Sequence, residues 1–137
     1  MRIAHQITLI ACTLFTVLCY GCSANCNKAT NTGKSFLTNL FTCNFEACDA
    51  MCTNNGRKDV RWFASNLTEE DLANISRDIE IATDDCNISD TLASITYTAQ
   101  NVVICDSLET KGYCGERSMK IILKNINCTW KVDKLEW

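Results

Sequence analysis

The chain predicts an all-α protein, a disulfide-stapled four-helix bundle. Three observations carry that expectation: four stretches repeat apolar residues at the helical period, proline is absent throughout, and no half of the chain is convincingly β-rich.

Residues 1–24 are set apart from the fold. Arg2 precedes an apolar run from Ile7 to Leu18, and Cys22-Ser23-Ala24 supplies the small residues that precede a cleavage point, so the segment reads as a secretory signal peptide cut after Ala24. The run is shorter than the roughly 18 apolar residues that span a bilayer, and no later stretch reaches that length, so no membrane insertion is expected. Residues 25–137 are then one disulfide-rich helical domain, secreted and extracellular. Cys12, Cys19 and Cys22 leave with the signal, and eight cysteines remain: Cys26, Cys43, Cys48, Cys52, Cys86, Cys105, Cys114 and Cys128. An even number in an oxidising compartment reads as four disulfides, with about a hundred pairings open. A cut after Gly21 is the competing choice and would leave a ninth, unpaired cysteine.

The only histidine, His5, lies in the signal, which removes histidine-dependent triads, dyads and zinc sites from the mature chain. No enzyme and no cofactor is therefore expected. An all-cysteine zinc site is the remaining metal option, and the extracellular address favours disulfides over it. Without Arg2, twelve basic residues face sixteen acidic ones with no basic block, so nucleic acid is not an expected partner.

The elements follow in order. Residues 25–34 read as an irregular leader pinned by Cys26. Leu37, Leu40, Phe41, Cys48, Met51 and Cys52 then share one stripe, predicting a helix over 35–52 that ends in the Cys43, Cys48, Cys52 group and is stopped by Asn54-Asn55-Gly56. The connection over 53–67 holds Trp62 and Phe63, expected to pack over the bundle, with an exposed aromatic anchor for a partner as the alternative. Thr68 with Asp71 resembles a capping box and opens a second helix carrying Leu72, Ile75, Ile79 and Ala82. A third helix starts at Ser89 or Asp90 and presents Leu92, Ile95, Ala99, Val102 and Val103. After a polar turn between Cys105 and Cys114, a last helix over 116–130 presents Met119, Ile122, Leu123, Ile126 and Trp130. Lys120, Lys124 and Lys131 line its flank, a solvated row that is also the candidate receptor contact. Long first and third connections with a short middle one permit an up-up-down-down arrangement.

Four sequons stand in the mature chain, at Asn66, Asn74, Asn87 and Asn127, and mark surface wherever a glycan is attached. Asn127 is the least favourable, since its middle residue is Cys128.

The run from Met119 to Lys131 resembles the last helix of short-chain four-helix cytokines of the interleukin class. That resemblance implies a bond between Cys26 and Cys128 and a function in bridging cell-surface receptor chains, with no catalytic residues. The Cys48-x3-Cys52 and Cys105-x8-Cys114 spacings are similar to those of insect odorant-binding proteins, secreted all-α carriers of small apolar ligands. That family implies bonds of Cys26 with Cys52, Cys48 with Cys105, and Cys86 with Cys114. The Cys43-x4-Cys48-x3-Cys52 run also resembles that of ciliate mating pheromones. The leading expectation is a secreted, N-glycosylated, cytokine-like ligand of a cell-surface receptor. The alternatives are a carrier of small hydrophobic ligands, or a pheromone, venom or parasite effector.

Overall fold

A computed structural model describes residues 26–76, 78–103 and 114–137. The segment expected to be a signal peptide, with both candidate cleavage points, lies outside these residues, as do Cys105 and Gly112 of the expected polar turn. The architecture overturns the all-α expectation. The helices α1 (Cys26–Phe41), α2 (Phe45–Ala50), α3 (Asn54–Asn66) and α4 (Glu69–Ala73) come first, followed by strands β1 (Glu80–Ser89), β2 (Leu92–Val103), β3 (Cys114–Ile126) and β4 (Thr129–Glu136). The strands form one antiparallel sheet in the order β1-β2-β3-β4, a meander joined in part by tight hairpins. The second half of the chain is therefore a sheet where two and a half helices were expected.

The reason is a period of two that coexists with the helical one. In β2, Ala93, Ile95, Tyr97 and Ala99 are buried and alternate with Ser94, Thr96 and Thr98. In β3, Met119, Ile121 and Leu123 point inward, whereas Ile126, assigned to the apolar face of a helix, is 47% exposed. Side chains on a strand alternate between faces, and β-branched and aromatic residues favour that pleated surface. Ile126 pairs with Thr129 across a two-residue turn in which Asn127 and Cys128 both take left-handed backbone (φ 52° and 63°), the geometry that twists a hairpin correctly. Asp90 does similar work between β1 and β2 with φ 49°.

In the first half, α1 starts at Cys26, well before the expected Ser35, and ends in a Schellman motif. The Asn44 amide donates to the Asn39 carbonyl (2.8 Å) and the Cys43 amide to the Leu40 carbonyl (3.1 Å), with Cys43 left-handed at φ 61°. The expected single helix over 35–52 is thus broken at Cys43. Asn54-Asn55-Gly56, expected to stop a helix, instead begins one, because the Thr53 hydroxyl accepts from the Gly56 amide and caps α3. The Thr68 and Asp71 capping box is present as expected, with bonds of 2.8 and 3.1 Å, but it opens only the short α4.

Helix α1 lies across all four strands and α3 lies against β4. Phe36, Leu37, Leu40 and Phe41 of α1, with Val60 and Phe63 of α3, close over Ile95, Tyr97, Ile121, Leu123 and Val132 of the sheet. The closest approach is at Gly33. A methyl group there would lie 2.6 Å from Cζ of the buried Tyr97 ring and would overlap its hydroxyl, which donates to the Thr30 carbonyl at 2.9 Å.

Alanine exceeds glycine in helix propensity by about 1 kcal/mol, so the sign of Gly33→Ala depends on which effect wins. Overpacking against a fully buried ring costs typically 1–3 kcal/mol or more, and we expect a net loss of about 2 kcal/mol, read as a lower denaturant midpoint. Tyr97→Phe removes the most crowded atom and should recover part of that loss in the double variant, although alone it costs about 1 kcal/mol for the missing hydrogen bond.

Candidate partner-binding surface

The aromatic pair in α3 divides between core and surface. Phe63 is buried, its ring edge-on to Phe41 at 5.7 Å, while Trp62, its neighbour, is 51% exposed. One helical step of about 100° separates their directions, which suffices to turn one in and the other out. Trp137, just beyond β4, stacks on Phe63 (centroids 5.6 Å apart, planes 18° apart) and lies 6.5 Å from Trp62. The guanidinium of Arg117, from β3, sits 4.6 Å from the Trp137 ring centre, a cation–π arrangement. Three elements therefore bring two partly exposed tryptophans and an arginine together over a buried aromatic base. Lys58 and Arg61, both exposed on α3, stand within one turn of Trp62 and add positive charge.

Trp137 and Arg117 were not singled out in the sequence. The signal that finds Arg117 is the alternation of β3, which puts it on the same face as Met119 and Ile121.

The three lysines expected as a receptor contact do not form a helical row. Lys120 and Lys124 stand on the outer face of the sheet, each beside a carboxylate of the same chain: Lys120 is 3.9 Å from Glu136 and Lys124 is 3.4 Å from Asp133. Lys131 pairs with Lys124 in register and donates to the Ala50 carbonyl at 2.7 Å. It also lines a groove of about 590 Å³ with Cys52, Thr53, Arg57 and Asn127.

All four sequon asparagines are exposed. Asn66 is the last residue of α3, Asn74 follows α4, Asn87 is on the edge strand β1, and Asn127 is in the β3–β4 turn. The Asn66 side chain donates to the Trp62 carbonyl at 2.7 Å, so a glycan on Asn66 would mark the rim of the tryptophan surface.

Cys26, Cys43, Cys48, Cys52 and Cys86 carry free thiols, and Cys128 is disulfide-bonded. Cys26 and Cys128 are therefore not bonded to each other. Cys114 opens β3. Cys48 donates to the Phe36 carbonyl at 3.7 Å inside the elbow between α1 and α2, and Cys52 bridges to Val132 beside β4. Burial, helped by the nearby Cys52, pushes the Cys48 thiol up to about 12. Burial, helped by Asp49, does the same to Cys52. Among the described residues no group of three or more histidine, cysteine or acidic side chains is placed to hold a metal ion, and no helix is long and apolar enough to cross a membrane.

Compared with known protein families, curated proteins and solved structures, the chain matches none.

The raised thiols set a pH dependence. Folding favours the neutral form of Cys48 and Cys52, so their contribution is fully present below the ordinary value of 9.0 and is lost as pH rises toward about 12. The reduced protein should lose stability progressively above pH 9, measured by circular dichroism melts. At pH 8 iodoacetamide should label both thiols at least about tenfold more slowly in the folded than in the unfolded chain, since the thiolate is the nucleophile.

Proposed function

We propose that the chain is a secreted, disulfide-bonded glycoprotein that binds a protein on a cell surface, and that Trp62, Trp137 and Arg117 form the contact. The observation that carries this reading is the half-exposed Trp62 beside Trp137 and its arginine cap. Tryptophan and arginine are among the side chains most enriched where binding energy concentrates: tryptophan buries a large area at the cost of two χ angles, and arginine offers a planar guanidinium that both stacks and pairs with carboxylates. The base of the surface is rigid, since Phe41 and Phe63 hold Trp137 from below. Positive charge at Lys58, Arg61 and Arg117 suits a partner that offers acidic and apolar side chains together.

The lysines at 120 and 124 are weaker candidates, because each already faces a carboxylate of its own chain, Lys120 the partly exposed Glu136 and Lys124 the more buried Asp133. The cytokine-like four-helix scaffold is not part of the proposal, since the fold is a helical layer on a sheet. Carriage of a small apolar ligand gains little support: the interior is filled by Phe36, Leu37, Leu40, Tyr97 and Ile121, and the groove beside Cys52 is open at the surface and sets Arg57 and Lys131 beside Ile126.

The test compares labelled protein, recovered from culture medium, for saturable binding to intact cells of the source organism. Trp62→Ala leaves the core intact and should weaken binding by 10-fold to 100-fold, the range of about 1.4–2.8 kcal/mol that an anchor residue supplies. Charge reversal at Lys120, Lys124 and Lys131 together should change it less than Trp62→Ala does. Equal binding by wild type and Trp62→Ala would reject this surface, and a dominant effect of the lysines would move the contact to the outer face of the sheet.

A further inference from the structure

Cys26 is the first residue of α1, and Cys86 faces the helical layer from β1, opposite Ile95 of β2. Their side chains are in hydrogen-bonding contact, and Cys86 also contacts the side chain of Thr30. Thr30 lies one turn beyond Cys26 on the same side of the helix. Its carbonyl accepts from Tyr97, and Tyr97 reaches it because Gly33 lets the ring under the helix. The two sulfurs are therefore held together by contacts on both elements and do not depend on a mobile loop. Both thiols are only partly buried, so a disulfide reagent can reach them.

We infer that Cys26 and Cys86 form a disulfide that ties the start of α1 to the edge strand β1. This pair is neither of those implied for Cys26 by the cytokine and odorant-carrier resemblances. The oxidant is a disulfide, either a small molecule such as oxidised glutathione or a protein disulfide. One cysteine thiolate attacks a sulfur of the oxidant, breaking its S–S bond and releasing one thiolate, which takes up a proton. The second cysteine, deprotonated, then attacks the protein sulfur of the mixed disulfide and releases the second thiolate. Two protein thiols and one oxidant disulfide become one protein disulfide and two reduced thiols, and the oxidant takes up both electrons.

The bond encloses α1 to α4 in one covalent loop, so its main effect is to restrict the unfolded chain. In the cell it rests on the secreted reading, which supplies the oxidant, but the pairing can be tested apart from secretion. Reduced, folded full-length chain is treated with oxidised glutathione, blocked with iodoacetamide in denaturant, and digested without reduction by trypsin and Asp-N for mass spectrometry. The expected result is a peptide containing Cys26 linked to one containing Cys86, lost on reduction. Alkylation of either cysteine, or a link from either to another cysteine, would overturn the inference. Finding the link here while no protein is recovered from the medium of expressing cells would count against secretion and leave the pairing standing.

Stability gives an independent reading. Cys26→Ser, Cys86→Ser and the double variant should each lower the oxidised protein's Tm by the same amount, on the order of 10 °C. Losses that add in the double variant would show two separate thiol contributions and would reject the bond.

Discussion

The packing of α1 on the sheet depends on the contact between Gly33 and Tyr97. A helix usually stands about 10 Å from what it packs against, separated by interdigitated side chains. At Gly33 no side chain intervenes, so the Tyr97 ring fits beneath the backbone and its hydroxyl reaches the Thr30 carbonyl. Burial raises the Tyr97 hydroxyl well above its ordinary range, so it remains a neutral donor. From that fixed point the helix extends one way to Cys26 over β1, and the other way to Leu40 and Phe41 toward β4 and α3. A shift at this one contact would displace both ends.

The far side of the sheet is secured by main-chain bonds. The Thr53 amide donates to the Val132 carbonyl at 2.9 Å and the Val132 amide to the Met51 carbonyl at 2.8 Å, so residues 51–53 cover the edge of β4. The Leu135 amide donates to the Asp59 carboxylate at 2.8 Å, and the Thr53 hydroxyl to Asp133 at 2.7 Å. Gly56 again permits the approach, since a methyl there would run into the Val132 backbone. An edge strand left bare can pair with another chain, and this segment blocks that route. It also sets the direction of α3, and hence brings Trp62 beside Trp137. The tryptophan surface is thus a product of how the β4 edge is closed.

What could be read in the sequence was local chemistry, and what could not was the choice between two periods. The Thr68 and Asp71 cap, the apolar face at Leu37, Leu40 and Phe41, and the surface positions of the sequon asparagines all follow from a few neighbouring residues. The segment from Leu92 to Val103 satisfies a helical stripe and a strand alternation at once. Tyr97 and the threonines on either side favour the strand, but the stripe through Leu92, Ile95, Ala99 and Val102 is equally regular. In β3 the helical stripe passes over Ile121, which is fully buried, and takes up Ile126, which is not. Tertiary pairing resolves such ties, because each strand gains its hydrogen bonds only from a neighbour distant in sequence. The tryptophan surface was partly legible: Trp62 stood out as an aromatic, whereas Trp137 and Arg117 join it only through β3 and β4.

The cysteines themselves show where sequence composition and backbone geometry meet. Cys43 and Cys128 both occupy left-handed positions, one ending α1 and the other in the β3–β4 turn. Glycine is the usual residue at either place, and an ordinary side chain there costs roughly 1–2 kcal/mol. At Cys128 a sulfur that a glycine could not supply joins a disulfide, a covalent gain that can offset such a cost. At Cys43 the side chain is brought near Cys48, close enough for the two thiols to influence each other electrostatically. In both cases the backbone accepts an unfavourable conformation and a sulfur is set at a bend. Cys26 and Cys86, by contrast, meet from the first residue of a helix and from a strand just past its register shift between Thr83 and Asp85. Their encounter needs no left-handed backbone and follows from the same close approach of α1 that Gly33 permits.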